Sequence, residues 1–250
     1  LHPGARLAVI GAGFIGQEAA STARGLGAEV TIVESAEAPL AAVLGPALGR
    51  WFAELHRSEG AEVLLSARIE RFRGNGRVEE IELAGGRSVE CDAVLVGIGV
   101  RPAVGWLAGS ALEPNGAIPV DAAGRTAVPG IFAAGDAALT LDPVSGRHLR
   151  SEHWESAART GAAAARAMLG LEPAPAPPPS FWSDQYGLRI NYVGHAAGSD
   201  EAVIEGDPGA RDFAAVFMRA GRPSAALLVG RPQALAGMRR RIQESTREGS

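Results

Sequence analysis

Three glycines at fixed spacing decide how the start of this chain can fold. Arg6-Leu7-Ala8-Val9-Ile10 is an apolar run that feeds Gly11-Ala12-Gly13-Phe14-Ile15-Gly16, and an alanine-rich, helix-favouring stretch over 17–27 leaves it. A strand, a tight glycine turn and a helix are expected in that order. Gly11 permits the turn, Gly13 lets backbone approach a pyrophosphate, and Gly16 lets the helix pack closely on the strand. The helix N-terminus then faces the phosphates. A second apolar run, Glu29-Val30-Thr31-Ile32-Val33, ends in Glu34, at the distance such a motif requires. A carboxylate there accepts from a ribose 2′-hydroxyl and repels a 2′-phosphate. The following Ser35-Ala36-Glu37-Ala38-Pro39 supplies no arginine to hold a phosphate, so NAD is expected over NADP. The plain alternative, a glycine-rich turn without a ligand, is disfavoured by the strand–turn–helix context.

The 250 residues suffice for one large or two ordinary domains. A hydrophobic content of 46% and a net charge of −4, without a basic tract, argue against a nucleic-acid partner. No apolar run is long enough to cross a bilayer, so no membrane partner is expected and the default location is cytoplasmic. Cys91 is the single cysteine, which excludes an internal disulfide or redox dithiol; it reads as a small buried hydrophobe. The five histidines show no ligand spacing, so no metal is expected.

Farther along, Leu48, Trp51, Phe52 and Leu55 fall at helical spacing within 45–59, and Gly60 is a helix stop. A strand is expected at 61–65, a hairpin around Gly74-Asn75-Gly76, and another strand entering Gly97-Ile98-Gly99. Gly130-Ile131-Phe132-Ala133-Ala134-Gly135-Asp136 reads as a short buried strand delivering Gly-Asp to its carboxyl end, where open α/β sheets place ligands. A helix is expected over 153–169, stopped by Gly170, and a stiff proline-rich linker over 172–179. Strand-like runs follow at 181–194, 213–219 and 225–229, with a hairpin loop at 220–223, and the end over 232–248 has helical character.

Several motifs, taken in order, carry a family resemblance. Gly11-Ala12-Gly13-Phe14-Ile15-Gly16-Gln17-Glu18, Val96-Gly97-Ile98-Gly99-Val100-Arg101-Pro102, the 130–136 run, Glu152-His153-Trp154-Glu155-Ser156-Ala157 and Phe181-Trp182-Ser183-Asp184-Gln185-Tyr186 together resemble the FAD-dependent ferredoxin reductases of the putidaredoxin reductase and biphenyl dioxygenase reductase group. The resemblance implies an α/β chain. It would comprise a Rossmann-like, doubly wound NAD-binding domain over 1–103, the second half of an FAD-binding domain over 104–175, and a small α+β C-terminal reductase domain over 176–250. It implies a flavoprotein oxidoreductase that passes electrons from NADH through FAD to a ferredoxin or rubredoxin. Gly11, Gly13, Phe14, Ile15, Gly16 and Glu34 would hold NADH, with the backbone of Gly97, Ile98 and Gly99 along its other side. Asp136, following Gly135, would bind the FAD ribityl chain, the backbone near His153 and Trp154 would meet the pyrimidine edge, and Trp182 would cover the isoalloxazine region. Glu18 matches a family glutamate beside the nicotinamide that pairs with a flavin-side lysine, and this chain has no lysine at all.

Three of these residues also have ordinary readings. Asp136 could cap a helix, Trp182 could be interface packing, and Glu18 could be a first-turn carboxylate favoured by the helix dipole. Pro39–Gly45 replaces a segment in which many relatives carry an arginine, so one polar contact to NADH is expected to be missing. The FAD-opening glycine motif of the family is expected upstream of Leu1, in a longer parent chain, leaving these 250 residues with weak NADH binding and poor FAD binding. The rival readings are a non-catalytic NAD-binding module and an NADH oxidase or nitrite reductase flavoprotein subunit. The oligomeric state is not encoded in any motif.

Overall fold

The structure, a computed structural model, describes residues 2–112, 116–141, 146–171, 177–196, 199 and 201–247, with 246 and 247 described by backbone alone. Two compact units emerge. One comprises Leu1–Gly99, Ser183–Ile190 and Asp207–Asp212; the other comprises Val100–Trp182, Asn191–Gly206 and Phe213–Ser250.

The first unit is built on β1 (Arg6–Ile10), α1 (Phe14–Gly25), β2 (Glu29–Val33), the single turn α2 (Ala41–Leu44), α3 (Pro46–Ser58) and β3 (Glu62–Leu64). Three strands, β4 (Ile69–Arg73), β5 (Glu80–Leu83) and β6 (Ser88–Glu90), precede β7 (Ala93–Val96). The parallel sheet runs β3-β2-β1-β7, with β1 inside it, and β4-β5-β6 form a separate antiparallel sheet. Strand periodicity divides β1 between two cores. Leu7 and Val9 join Ala20 and Ala23 of α1 and Ala53 of α3 on one face. Ala8 and Ile10 join Ile81, Leu83 and Val89 of the antiparallel sheet on the other. Cys91 lies in that second core, where burial pushes its thiol pKa up, in keeping with a packing role. The expected helix stop is present: Gly60 follows α3 with φ +82, a left-handed value that glycine adopts without strain.

In the second unit, β8 (Ile118–Val120) pairs parallel with β9 (Ala138–Leu141), which pairs antiparallel with β10 (His148–Leu149). Helix α4 spans Trp154–Met168. The strands β11 (Ser180–Gln185), β12 (Leu188–Gly194), β13 (Glu201–Asp207), β14 (Asp212–Arg219) and β15 (Arg222–Val229) form one sheet in the order β11-β12-β15-β14-β13, of which residues 183–185, 188–190, 207 and 212 are counted with the first unit. Helix α5 (Leu235–Arg247) ends the described chain. Met238 and Ile242 of α5 pack on Val193, Ala214, Val216, Ala226 and Leu228 of that sheet.

Two sequence expectations need correction, and one strand was not anticipated. The 130–136 run is no buried strand: it makes one isolated bridge, Arg125 to Phe132, Ile131 is 42% exposed, and Gly135–Ala137 turn as a 3-10 helix. A short apolar run becomes a strand only where neighbours supply its ladder, and here one residue finds a partner. The β14–β15 loop is Ala220-Gly221 alone, both left-handed at φ 49 and 75, as a two-residue hairpin demands. Pro223 therefore sits inside β15, next to the register shift at Phe217/Met218, where its missing N–H is tolerated. Finally, β13 had no sequence signal, because every one of its residues is exposed and none reports a buried face. Positions 172–176 of the expected linker lie outside the described residues.

Candidate functional site

The site forms where β1, β2 and β7 end. Gly11 leaves β1 with φ +93 and lies so close to β7 that a Cβ there would stand 2.5 Å from the Gly97 carbonyl oxygen. Gly16 is tighter still: its Cβ would be 2.1 Å from the Gly11 carbonyl oxygen and 3.3 Å from Val9 Cγ1. These two glycines let α1 begin directly over the end of β1. Gly13 differs, since nothing lies within 4 Å of the place a Cβ would occupy. It caps α1 in an extended conformation and without a side-chain hydrogen bond, and the first intrahelical bond runs from the Gln17 N–H to the Gly13 carbonyl at 3.0 Å. The open helix N-terminus and its amide dipoles face this space, an arrangement suited to an anion.

Glu34 follows β2 and turns its carboxylate onto the glycine turn. Its Oε2 accepts from the Ala12 N–H at 2.7 Å, and its Oε1 accepts from the Ala36 N–H at 2.8 Å and the Ser35 hydroxyl at 3.2 Å. A carboxylate has about four acceptor positions, so capacity remains for a sugar hydroxyl. On the β7 side, a Cβ on Gly97 would stand 3.6 Å from the Gly16 nitrogen, and Gly99 takes φ +102. Ile15 and Ile98 are 71% and 74% exposed. Phe14 instead turns inward, edge-on to Phe52 with ring centroids 6.1 Å apart. Glu18 is half-buried at the fifth position of α1, and the first turn of that helix carries no acidic residue. The first-turn dipole reading of Glu18 therefore fails, by one residue.

The remaining expected residues belong to the second unit. The Gly135 N–H donates to Thr160 Oγ1 at 3.0 Å, which ties the Gly-Asp turn to α4. Asp136 is exposed in the 3-10 turn and caps nothing, so the N-cap reading fails as well. His153 precedes α4 and stacks on Phe181 with ring centroids 3.9 Å apart, and burial pushes its imidazole pKa down. Trp154 is 77% exposed and Trp182 48% exposed. An exposed carboxylate and two exposed tryptophans in one unit are chemically suited to a hydroxylated, aromatic cofactor. Among the described residues no cluster of metal-ligating side chains occurs, and no helix is long and apolar enough to cross a membrane.

Sequence reading missed a buried polar set in the first unit: Gln17, Ser21 and His56, joined by Tyr186 from the 183–190 segment. One signal was available. Gln17 and Ser21 share the buried face of α1 with Gly16, Ala20 and Ala23, where apolar side chains are the rule.

A parallel sheet, a glycine turn opening a helix and an acidic residue ending the second strand define a dinucleotide-binding α/β chain. The chain belongs to the pyridine nucleotide-disulphide oxidoreductase family, which it matches over residues 1–161, and residues 180–249 match the reductase C-terminal family. It is 35% identical over 246 residues to the 5,5'-dehydrodivanillate O-demethylase ferredoxin reductase subunit of Sphingobium sp., covering 97% of this chain and 60% of the relative. It is 41% identical over 210 residues to the biphenyl dioxygenase system ferredoxin–NAD(+) reductase component of Paraburkholderia xenovorans, covering 83% of this chain and 50% of the relative. Among solved structures, the covalent putidaredoxin reductase–putidaredoxin complex superposes with a TM-score of 0.94 at 27% identity, over 98% of this chain and 59% of that one. The chain thus spans 50 to 60% of the length of these proteins.

Proposed function

We propose that this chain serves an NADH-dependent flavoprotein reductase that passes electrons through FAD to a ferredoxin or rubredoxin, working in the cytoplasm. The carrying observation is Glu34, whose carboxylate closes on the Ala12 N–H of the glycine turn at 2.7 Å and keeps acceptor capacity at the end of β2. In this reading Gly13 and the first turn of α1 receive the pyrophosphate, while Gly11 and Gly16 make room by close packing. Glu34 grips the adenosine ribose and turns away a 2′-phosphate. Phe14 contributes through its backbone, because its ring is committed to Phe52. Ile15, Ile98 and the Gly97–Gly99 backbone border the dinucleotide, and Glu18 stands near the nicotinamide end. FAD, when bound, supplies the conversion of a hydride into single electrons. Gly135, Asp136, His153, Trp154 and Trp182 would hold it in place and shield it from water. The names of the relatives support this reading, which assigns 1–103 to NAD binding, 104–175 to the second half of an FAD-binding domain and 176–250 to a C-terminal reductase domain. A single cysteine buried in a core accords with a reducing compartment.

The test is coenzyme choice. NADH should bind at least about tenfold more tightly than NADPH, the size of one charge-assisted hydrogen bond gained against one charge repulsion. Glu34→Ser should narrow that ratio toward unity, chiefly by weakening NADH. Equal binding of the two coenzymes by the unaltered chain contradicts the role given to Glu34.

A further inference from the structure

A glutamine that is 0% exposed sits directly after the last glycine of the nucleotide turn, and coenzyme contacts do not account for it. Gln17 Nε2 donates to the Ala12 carbonyl at 2.8 Å. With the amino group spent there, the Oε1 atom is the one that faces His56 Nε2, 3.2 Å away. A carbonyl can only accept, so His56 carries its proton on Nε2. Nδ1 is left as an acceptor, and the Tyr186 hydroxyl, 2.7 Å away, donates to it. Every donor therefore points one way, from Tyr186 through His56 and Gln17 to the Ala12 carbonyl.

The chain of bonds is anchored at both ends, and its His56 and Gln17 members are buried. His56 is 1% exposed, and its imidazole stays neutral because burial pushes its pKa down to about 4. The Tyr186 ring stands edge-on to His56 with centroids 5.2 Å apart. Tyr186 takes a left-handed φ of 51, and its N–H donates to Ser21 Oγ at 2.6 Å. At the other end, Ala12 is pinned on both polar groups, its N–H by Glu34 and its carbonyl by Gln17. The peptide joining Ala12 to Gly13 is planar and trans, so drawing the carbonyl toward Gln17 turns the Gly13 N–H the opposite way. That is the amide of the one glycine in the turn with open space around it.

We propose that Gln17, His56 and Tyr186 are positioning residues that aim the Gly13 amide at the coenzyme pyrophosphate, so that a tyrosine of the 183–190 segment sets coenzyme affinity through a buried relay. The inference rests on the reading of this turn as the NAD site.

Two measurements on the intact chain test it. Nitrogen-15 NMR of the imidazoles should show His56 as the Nε2–H tautomer; an Nδ1–H tautomer reverses the donor order and overturns the proposal. Calorimetric titration with NADH should give binding about fivefold weaker in Tyr186→Phe, which keeps the ring and loses one donor, and at least about fivefold weaker in Gln17→Met. A purely structural role would lower the thermal midpoint of either variant and leave the NADH Kd of the folded protein unchanged, and that result overturns the proposal. Tyr186→Phe and the tautomer of the unaltered chain decide the matter even where Gln17→Met does not fold. Failure of the unaltered chain to bind NADH is a separate outcome, and it overturns the reading of the turn itself together with this inference.

Discussion

Alanine at position 16 is expected to cost about 3 kcal/mol of stability, the upper end of the usual penalty for overpacking, and to abolish measurable NADH binding. The added methyl would stand 2.1 Å from the Gly11 carbonyl oxygen, and backbone cannot rotate away as a flexible side chain can. Either α1 lifts off β1 or the turn deforms, and both destroy the surface that receives the pyrophosphate. Gly13→Ala separates the two consequences. No atom lies within 4 Å of its Cβ position and its backbone is extended, so stability should change by about 1 kcal/mol or less. The methyl would nevertheless occupy the space where the phosphates approach the helix N-terminus, and NADH affinity should fall at least about tenfold. Urea unfolding paired with NADH titration reads both effects. A Gly13→Ala variant that binds like the parent would remove the pyrophosphate from this turn, whatever Gly16→Ala does.

Acid should weaken the fold through His56 by about 3 kcal/mol between neutral pH and pH 4. In the unfolded chain an imidazole takes its proton near pH 6.5, its ordinary value. In the native state burial pushes His56 down to about 4, against the opposite pull of a Gln185 hydrogen bond and the Glu59 carboxylate. Above pH 6.5 both states are neutral and His56 adds nothing to the pH dependence. Below it the unfolded chain binds a proton that the native state refuses, so stability declines as pH falls and the decline levels off once the native imidazole also protonates. Denaturant unfolding at pH 7 and pH 4.5 should show the drop, and His56→Gln should flatten it while lowering stability at pH 7. An unaltered slope in His56→Gln would assign the acid sensitivity to other groups.

How much of this could be read in advance depends on where the information lies along the chain. The β1–turn–α1–β2 unit and Glu34 were readable because their determinants are local: an apolar strand, glycines at steric pinch points and a carboxylate about 20 residues on. Helices α3 and α4 were readable because the apolar spacing of the first, the alanine content of the second and their Gly60 and Gly170 stops are local too, and the α5 stretch showed helical character. The 130–136 run has the composition of a strand, but only its partners could make it one, and one bridge is all it finds. Strand β13 carries no apolar alternation because neither of its faces is buried. The Tyr186–His56–Gln17 relay was hidden for a different reason. Its members lie 130 and 39 residues apart in sequence, and no spacing rule links a turn tyrosine to a helix glutamine. What could be seen was a polar residue placed on the buried face of α1, and such a residue needs partners from somewhere.

The central claim is that nicotinamide dinucleotide lies over the Gly11-Ala12-Gly13 turn with its ribose on Glu34. Backbone amide NMR of the nitrogen-15-labelled chain, recorded during titration with NADH, tests this most directly. The account predicts saturable shifts concentrated at 11–17, 34–36 and 97–99, with NADPH producing them only at far higher concentration. Saturable shifts that leave the turn and Glu34 untouched, or no shifts at millimolar NADH in a folded sample, would contradict it.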